Sequence, residues 1–116
     1  MKKFLKSVQW AFSGLCWAIR KERHLRIHLI MAVAVMAAAA WFNFSRIEWL
    51  ILLLMIALVI GAELINTAIE RVVDLIVLSQ HPVAKVAKDV AAGAVLFFAF
   101  VSIVIGIILF LPYLIR

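Results

Sequence analysis

Three long apolar runs restrict this chain more than any other feature. The first, residues 27–44, contains "LIMAVAVMAAAAWFNF"; the second, 47–73, contains "WLILLLMIALVI"; the third, 90–114, reads "VAAGAVLFFAFVSIVIGIILFLPYL". A membrane span needs about 20 predominantly apolar residues, and each run meets or approaches that length. The balance of residues agrees: 68% are hydrophobic, 16% are charged, and mean hydropathy is +1.18. A soluble domain holds its apolar share near half and covers its surface with charge, for which this chain has too few charged groups. The sequence therefore predicts an all-α integral membrane protein of one domain, 1–116.

Residues 1–26 are of another kind. Phe4, Val8, Phe12 (with Ala11), Leu15 and Ile19 recur at helical spacing, while Lys2, Lys3, Lys6, Gln9, Arg20 and Lys21 lie mostly off that stripe. This pattern predicts an amphipathic helix on an anionic membrane surface. No small-residue cleavage site follows a short apolar stretch, so a removable signal peptide is not expected. The lone Cys16 excludes an intramolecular disulfide and a cysteine metal cluster, and reads as an apolar filler. A short turn, "NFSR", joins the first two runs, and a longer polar link, "LSQHPVAKVAKD" at 78–89, joins the last two, with Pro82 as its helix breaker.

The formal charge of +6 does not point to nucleic acid, because its distribution follows the membrane. Lys2, Lys3, Lys6, Arg20, Lys21, Arg23 and Arg26 precede the first run, and Arg71, Lys85 and Lys88 surround the longer link; Arg46 and Arg116 fall on the opposite side. Cytoplasmic loops carry the excess of Lys and Arg. The N-terminus and the 78–89 link are thus expected in the cytoplasm, and the C-terminus outside.

Against this background "GAELINTAIERVVD", residues 61–74, stands out. At about 100° per residue, Glu63, Asn66, Glu70 and Asp74 point at roughly 0°, 300°, 340° and 20°, one narrow stripe of a helix. Trp49 to Glu63 is roughly 21 Å of rise, which sets Glu63 within the cytoplasmic half of the bilayer and Glu70 near its boundary. A carboxylate at that depth costs a few kcal/mol unless compensated, and marks a functional site by default. The bland reading makes Asp74 and Arg71 interfacial charges that end a helix, and Asn66 an interhelical hydrogen-bonding group. It explains Glu63 and Glu70 together less well.

Counter-charges gather on the same side. "RKERHLRIH" brings Glu22, Arg23, His24, Arg26 and His28 to the first span, and "AKVAKD" brings Lys85, Lys88 and Asp89 to the third. Carboxylates hold Mg²⁺ against phosphates, cations neutralise the transferred group, and a carboxylate accepts a hydroxyl proton. This set suits phosphoryl transfer from a nucleotide, although the chain has neither a Walker-type loop nor a kinase Gly-rich loop. His28 and His81 read as an interfacial residue and a loop residue, and no spacing supports zinc.

The pattern E-x-x-N-T-A-I-E-x-x-x-D at 63–74, followed by "AKVAKDVAAGAV", resembles the prokaryotic diacylglycerol kinase family, and the likeness extends over nearly the whole chain. The resemblance implies a small homotrimeric bacterial inner-membrane lipid kinase with three transmembrane helices and an N-terminal surface helix in each subunit. Active sites would be shared between subunits. Such enzymes transfer the γ-phosphate of MgATP to a lipid hydroxyl. It implies Glu63 as general base and lipid contact, with Asn66 orienting groups in the site. Glu22 and Glu70 would be metal ligands that also contact ATP. Trp10, Ser79, Gln80, His81, Lys88 and Asp89 would lie at the nucleotide. "ERHLRIH" before the first span is similar to the undecaprenol kinase branch, so undecaprenol is the expected acceptor and diacylglycerol the alternative. A proton-coupled transporter with Glu63 as carrier would need a polar path through the outer half of the spans, which is almost purely apolar. A non-catalytic adaptor would leave the clustering of acids and lysines unexplained.

Overall fold

The computed structural model describes residues 1–77 and 79–115, and over these the chain forms four helices and no strand; Leu78 and Arg116, the latter counted in the charge asymmetry above, lie outside them. The helices are α1 (Lys2–Lys21), α2 (Arg23–Trp41), α3 (Arg46–Ile76) and α4 (Pro82–Leu114). α2, α3 and α4 are each long and apolar enough to cross a membrane. Helix is the natural outcome, because hydrocarbon leaves the backbone no partner except itself. α3 packs along both α2 and α4, while α1 touches α2 and α3.

The helix bounds depart from expectation at two places. The first segment does not continue to residue 26: Glu22 is extended (φ −104°, ψ 109°) and separates α1 from α2. Neither Gly nor Pro marks this break. Arg26 supports it by donating from Nη1 to the carbonyls of Ile19 (2.9 Å) and Arg20 (2.7 Å), two of the acceptors that a helix C-terminus leaves without an intrahelical donor. Leu25, immediately beyond, is 1% exposed and anchors the corner. The second departure is in the long link, which is helical from Pro82 rather than from residue 90. Proline at the first helical position starts a helix, since the N–H it lacks would have had no partner there. His81 Nδ1 accepts from the Val83 N–H at 3.2 Å and caps the new terminus.

The short turn between α2 and α3 is closed from both sides. Asn43 takes the left-handed conformation (φ 57°), and the N–H groups of Asn43 and Phe44 donate to the carbonyls of Ala40 and Ala39 (3.2 and 3.0 Å), a Schellman closure. Ser45 then caps α3: its Oγ accepts from Glu48 N–H at 3.2 Å, and Glu48 Oε1 accepts from Ser45 N–H at 2.9 Å. Around this turn Phe44 stacks on Tyr113 and meets Phe110 at a tilt (centroids 5.3 and 4.7 Å), and Tyr113 Oη donates to Glu48 Oε1 at 2.5 Å. Ala39, Phe44, Leu52 and Leu109 form the buried cluster at this end. Ser45→Ala should destabilise the protein by about 1 kcal/mol, read from its unfolding transition in detergent micelles, with no change at the opposite end of the bundle.

By rise per residue α3 is about 46 Å long, against a hydrocarbon core of about 30 Å. Its excess length carries the charged end, Glu70 to Asp74, toward the junction of α1 and α2. Most large apolar side chains of α2–α4 face outward, among them Ile30, Leu54, Phe97, Phe100 and Ile108. That surface suits lipid or further protein, not water.

Candidate active site

Glu63 and Thr67 are each 5% exposed, the buried polar residues among those described. Thr67 sits one turn beyond Glu63 and donates its hydroxyl to the Glu63 carbonyl (3.0 Å), which leaves the Glu63 carboxylate to face another element. It faces α2, where His28 Nε2 lies 3.7 Å from Glu63 Oε2. His28 belongs at the same time to the wall of an apolar cavity of about 470 Å³ between α2, α3 and α4, formed by Met31, Val35, Val59, Ile103 and their neighbours. His28 thus stands between a buried acid and a space for apolar chain.

One to two turns along the same stripe is a second centre. Asn66 Nδ2 donates to Glu70 Oε1 (3.0 Å), fixing that carboxylate, while Asn66 Oδ1 is buried with no protein partner. Arg71 then gathers three carboxylates. Its Nη2 donates to Glu22 Oε1 at 3.0 Å and lies 3.8 Å from Glu70 Oε2; its Nη1 is 3.8 Å from Asp74 Oδ2; its guanidinium lies 5.8 Å from the centre of the Trp17 ring. The extended backbone at Glu22 is what lets its side chain reach α3, so the break between α1 and α2 is part of the site.

The remaining expected residues, Trp10 apart, surround the start of α4. Lys88 Nζ donates to Asp74 Oδ1 at 2.8 Å and ties α4 to α3. Asp89 pairs with Lys85 one turn back (2.6 Å). Ser79, Gln80, His81, Lys85, Lys88 and Asp89 line a cavity of about 730 Å³ with Asp74. Trp10 is exposed, two turns before Trp17 and so on the same face of α1.

Sequence reasoning did not anticipate the parts of Arg71, His28 and Trp17. Arg71 lies about 80° off the acidic stripe, and nothing local ties it to Glu22, 49 positions away. The one available signal was that a cation follows Glu70 directly inside an apolar helix. Among the described residues no three of His, Cys, Asp and Glu gather as a ready-made metal cage. Two carboxylates converging on one cation fit a different kind of site. Mg²⁺ is typically held by one or two carboxylates with the remaining positions filled by water and substrate phosphate. Glu22 and Glu70 supply such hard oxygen donors.

A family model for prokaryotic diacylglycerol kinase matches residues 9–110. The chain is 45% identical over 114 residues to the undecaprenol kinase of Bacillus subtilis, covering 98% of this chain and 93% of that protein. It is 44% identical over 109 residues to a diacylglycerol kinase of Synechocystis sp., covering 93% of this chain and 62% of that one. A diacylglycerol kinase of Helicobacter pylori is 34% identical over 104 residues, with 86% and 81% covered.

Proposed function

The chain belongs to the prokaryotic diacylglycerol kinase family and is a membrane lipid kinase, and on that premise we propose that its residues phosphorylate undecaprenol with MgATP. The observation that carries the reading is the buried Glu63 carboxylate, faced by His28 at the head of an apolar cavity. A lipid alcohol is a hydroxyl on an apolar chain, and this is a base beside an apolar space. Undecaprenol is favoured by the near full-length likeness to an undecaprenol kinase. Diacylglycerol is the alternative acceptor, since a relative of nearly equal identity carries that name.

In this mechanism Glu63 accepts the hydroxyl proton as the lipid oxygen attacks the γ-phosphorus, and the bond to the β–γ bridging oxygen breaks to release ADP. Glu22 and Glu70 would hold Mg²⁺, and Asn66 orients Glu70. When bound, the metal neutralises charge on the phosphates. Lys88, Asp89, Ser79, Gln80 and His81 take the nucleotide in the cavity at the start of α4, with Trp10 on the α1 face that leads to Trp17. α1 lies on the membrane surface with its lysines toward anionic headgroups. The N-terminus and the 78–89 link face the cytoplasm. The outward apolar faces of α2–α4 pack in a homotrimer, which completes each site with residues of a neighbouring subunit.

A kinase assay on the purified protein in mixed micelles, with undecaprenol and diacylglycerol compared at equal mole fraction, tests the assignment. Faster ATP-dependent phosphorylation of undecaprenol is expected. A preference for diacylglycerol would transfer the chain to the alternative substrate, and no phosphorylation of either would remove the reading.

A further inference from the structure

Arg71 holds the position that a divalent cation between Glu22 and Glu70 would take. A single guanidinium nitrogen is 3.0 Å from one carboxylate and 3.8 Å from the other. The two acids are partly withdrawn from water, with side chains 18% and 29% exposed. Left without a cation they would repel one another and lose hydration together, which is costly for partly buried charge. Arg71 prevents this, and its planar fork lets it serve two carboxylates at once.

The same fork provides a way to leave. Nη1 is already 3.8 Å from Asp74, and the ring of Trp17 flanks the guanidinium. Asp74 keeps its own partner in Lys88, so withdrawal of Arg71 toward Asp74 strands no charge. We propose that Arg71 is a resident counter-ion that competes with the divalent metal for Glu22 and Glu70. It keeps metal affinity low until a nucleotide brings phosphate oxygens to share the ion. Arg71 is here a positioning residue, and the idea rests on the reading of Glu22 and Glu70 as metal ligands.

The test is Mn²⁺ binding without nucleotide, followed by the loss of the free-ion EPR signal, on full-length protein in micelles. Arg71→Gln should tighten Mn²⁺ binding about tenfold, as expected when a charge-assisted competitor is removed. Arg71→Lys, which retains the charge without the fork, should tighten it less. In thermal unfolding, R71Q should melt below the unaltered protein without metal and gain more from Mn²⁺. Unchanged or weaker Mn²⁺ binding in R71Q and R71K alike would overturn the proposal, because an arginine that merely pins α1 to α3 does not compete with metal. Glu22→Gln and Glu70→Gln, made with Arg71 intact, examine the underlying reading separately. Weaker binding in both supports it, and undiminished binding in both removes the metal site and the competition together.

Discussion

Glu63→Gln should lower kcat for lipid phosphorylation by about 10²–10⁴-fold, the range for loss of a general base, while KM for ATP stays unchanged. The substitution keeps the shape of a side chain that is 5% exposed, and an amide cannot take the lipid proton. The expected signature is a fall in kcat at saturating MgATP and lipid, measured as ADP release in mixed micelles, with the unfolding transition intact. Retention of full kcat would pass the role of base to Glu70, the next acid on the stripe. A fall confined to KM for ATP would place Glu63 at the nucleotide instead. Neither outcome is expected, because Glu63 faces His28, which lines the apolar cavity, whereas the residues proposed for the nucleotide gather around Asp74 and Lys88.

Glu70→Gln and Glu22→Gln should act on the metal. Loss even of an outer partner of a metal ligand weakens affinity about 10–100-fold, and loss of a ligand should cost at least as much. Each variant should therefore need at least roughly tenfold more Mg²⁺ for half-maximal activity, with part of the lost rate restored by raising Mg²⁺. The two are not equivalent structurally. Glu70 keeps a donor from Asn66 on its own helix, so glutamine there leaves the packing in place. Glu22 lies at the α1–α2 break and reaches α3 only through Arg71, so its replacement should also loosen α1. Limited proteolysis of α1, faster in E22Q than in E70Q, reads that difference. An unaltered Mg²⁺ requirement in both variants would end the metal assignment.

The class of this protein was legible along the chain because its causes are local. Three apolar runs cannot be dissolved in water, and they return as α2, α3 and α4. The stripe of Glu63, Asn66, Glu70 and Asp74 follows from helical spacing alone, and the signature across 63–74 was enough to indicate the family. Packing decided what spacing could not. Glu22 ends one helix and starts another without Gly or Pro because Arg26 closes the first helix from beyond the break. Pro82 opens α4 where a breaker was expected, since a proline at that position sacrifices no helical hydrogen bond. Arg71 lies off the acidic stripe, yet it collects Glu22, Glu70 and Asp74 because a long flexible side chain reaches where carboxylates gather. Periodicity along a helix states which side chains share a face. Which partner that face meets depends on contacts between residues far apart in the chain, and only the folded bundle supplies them.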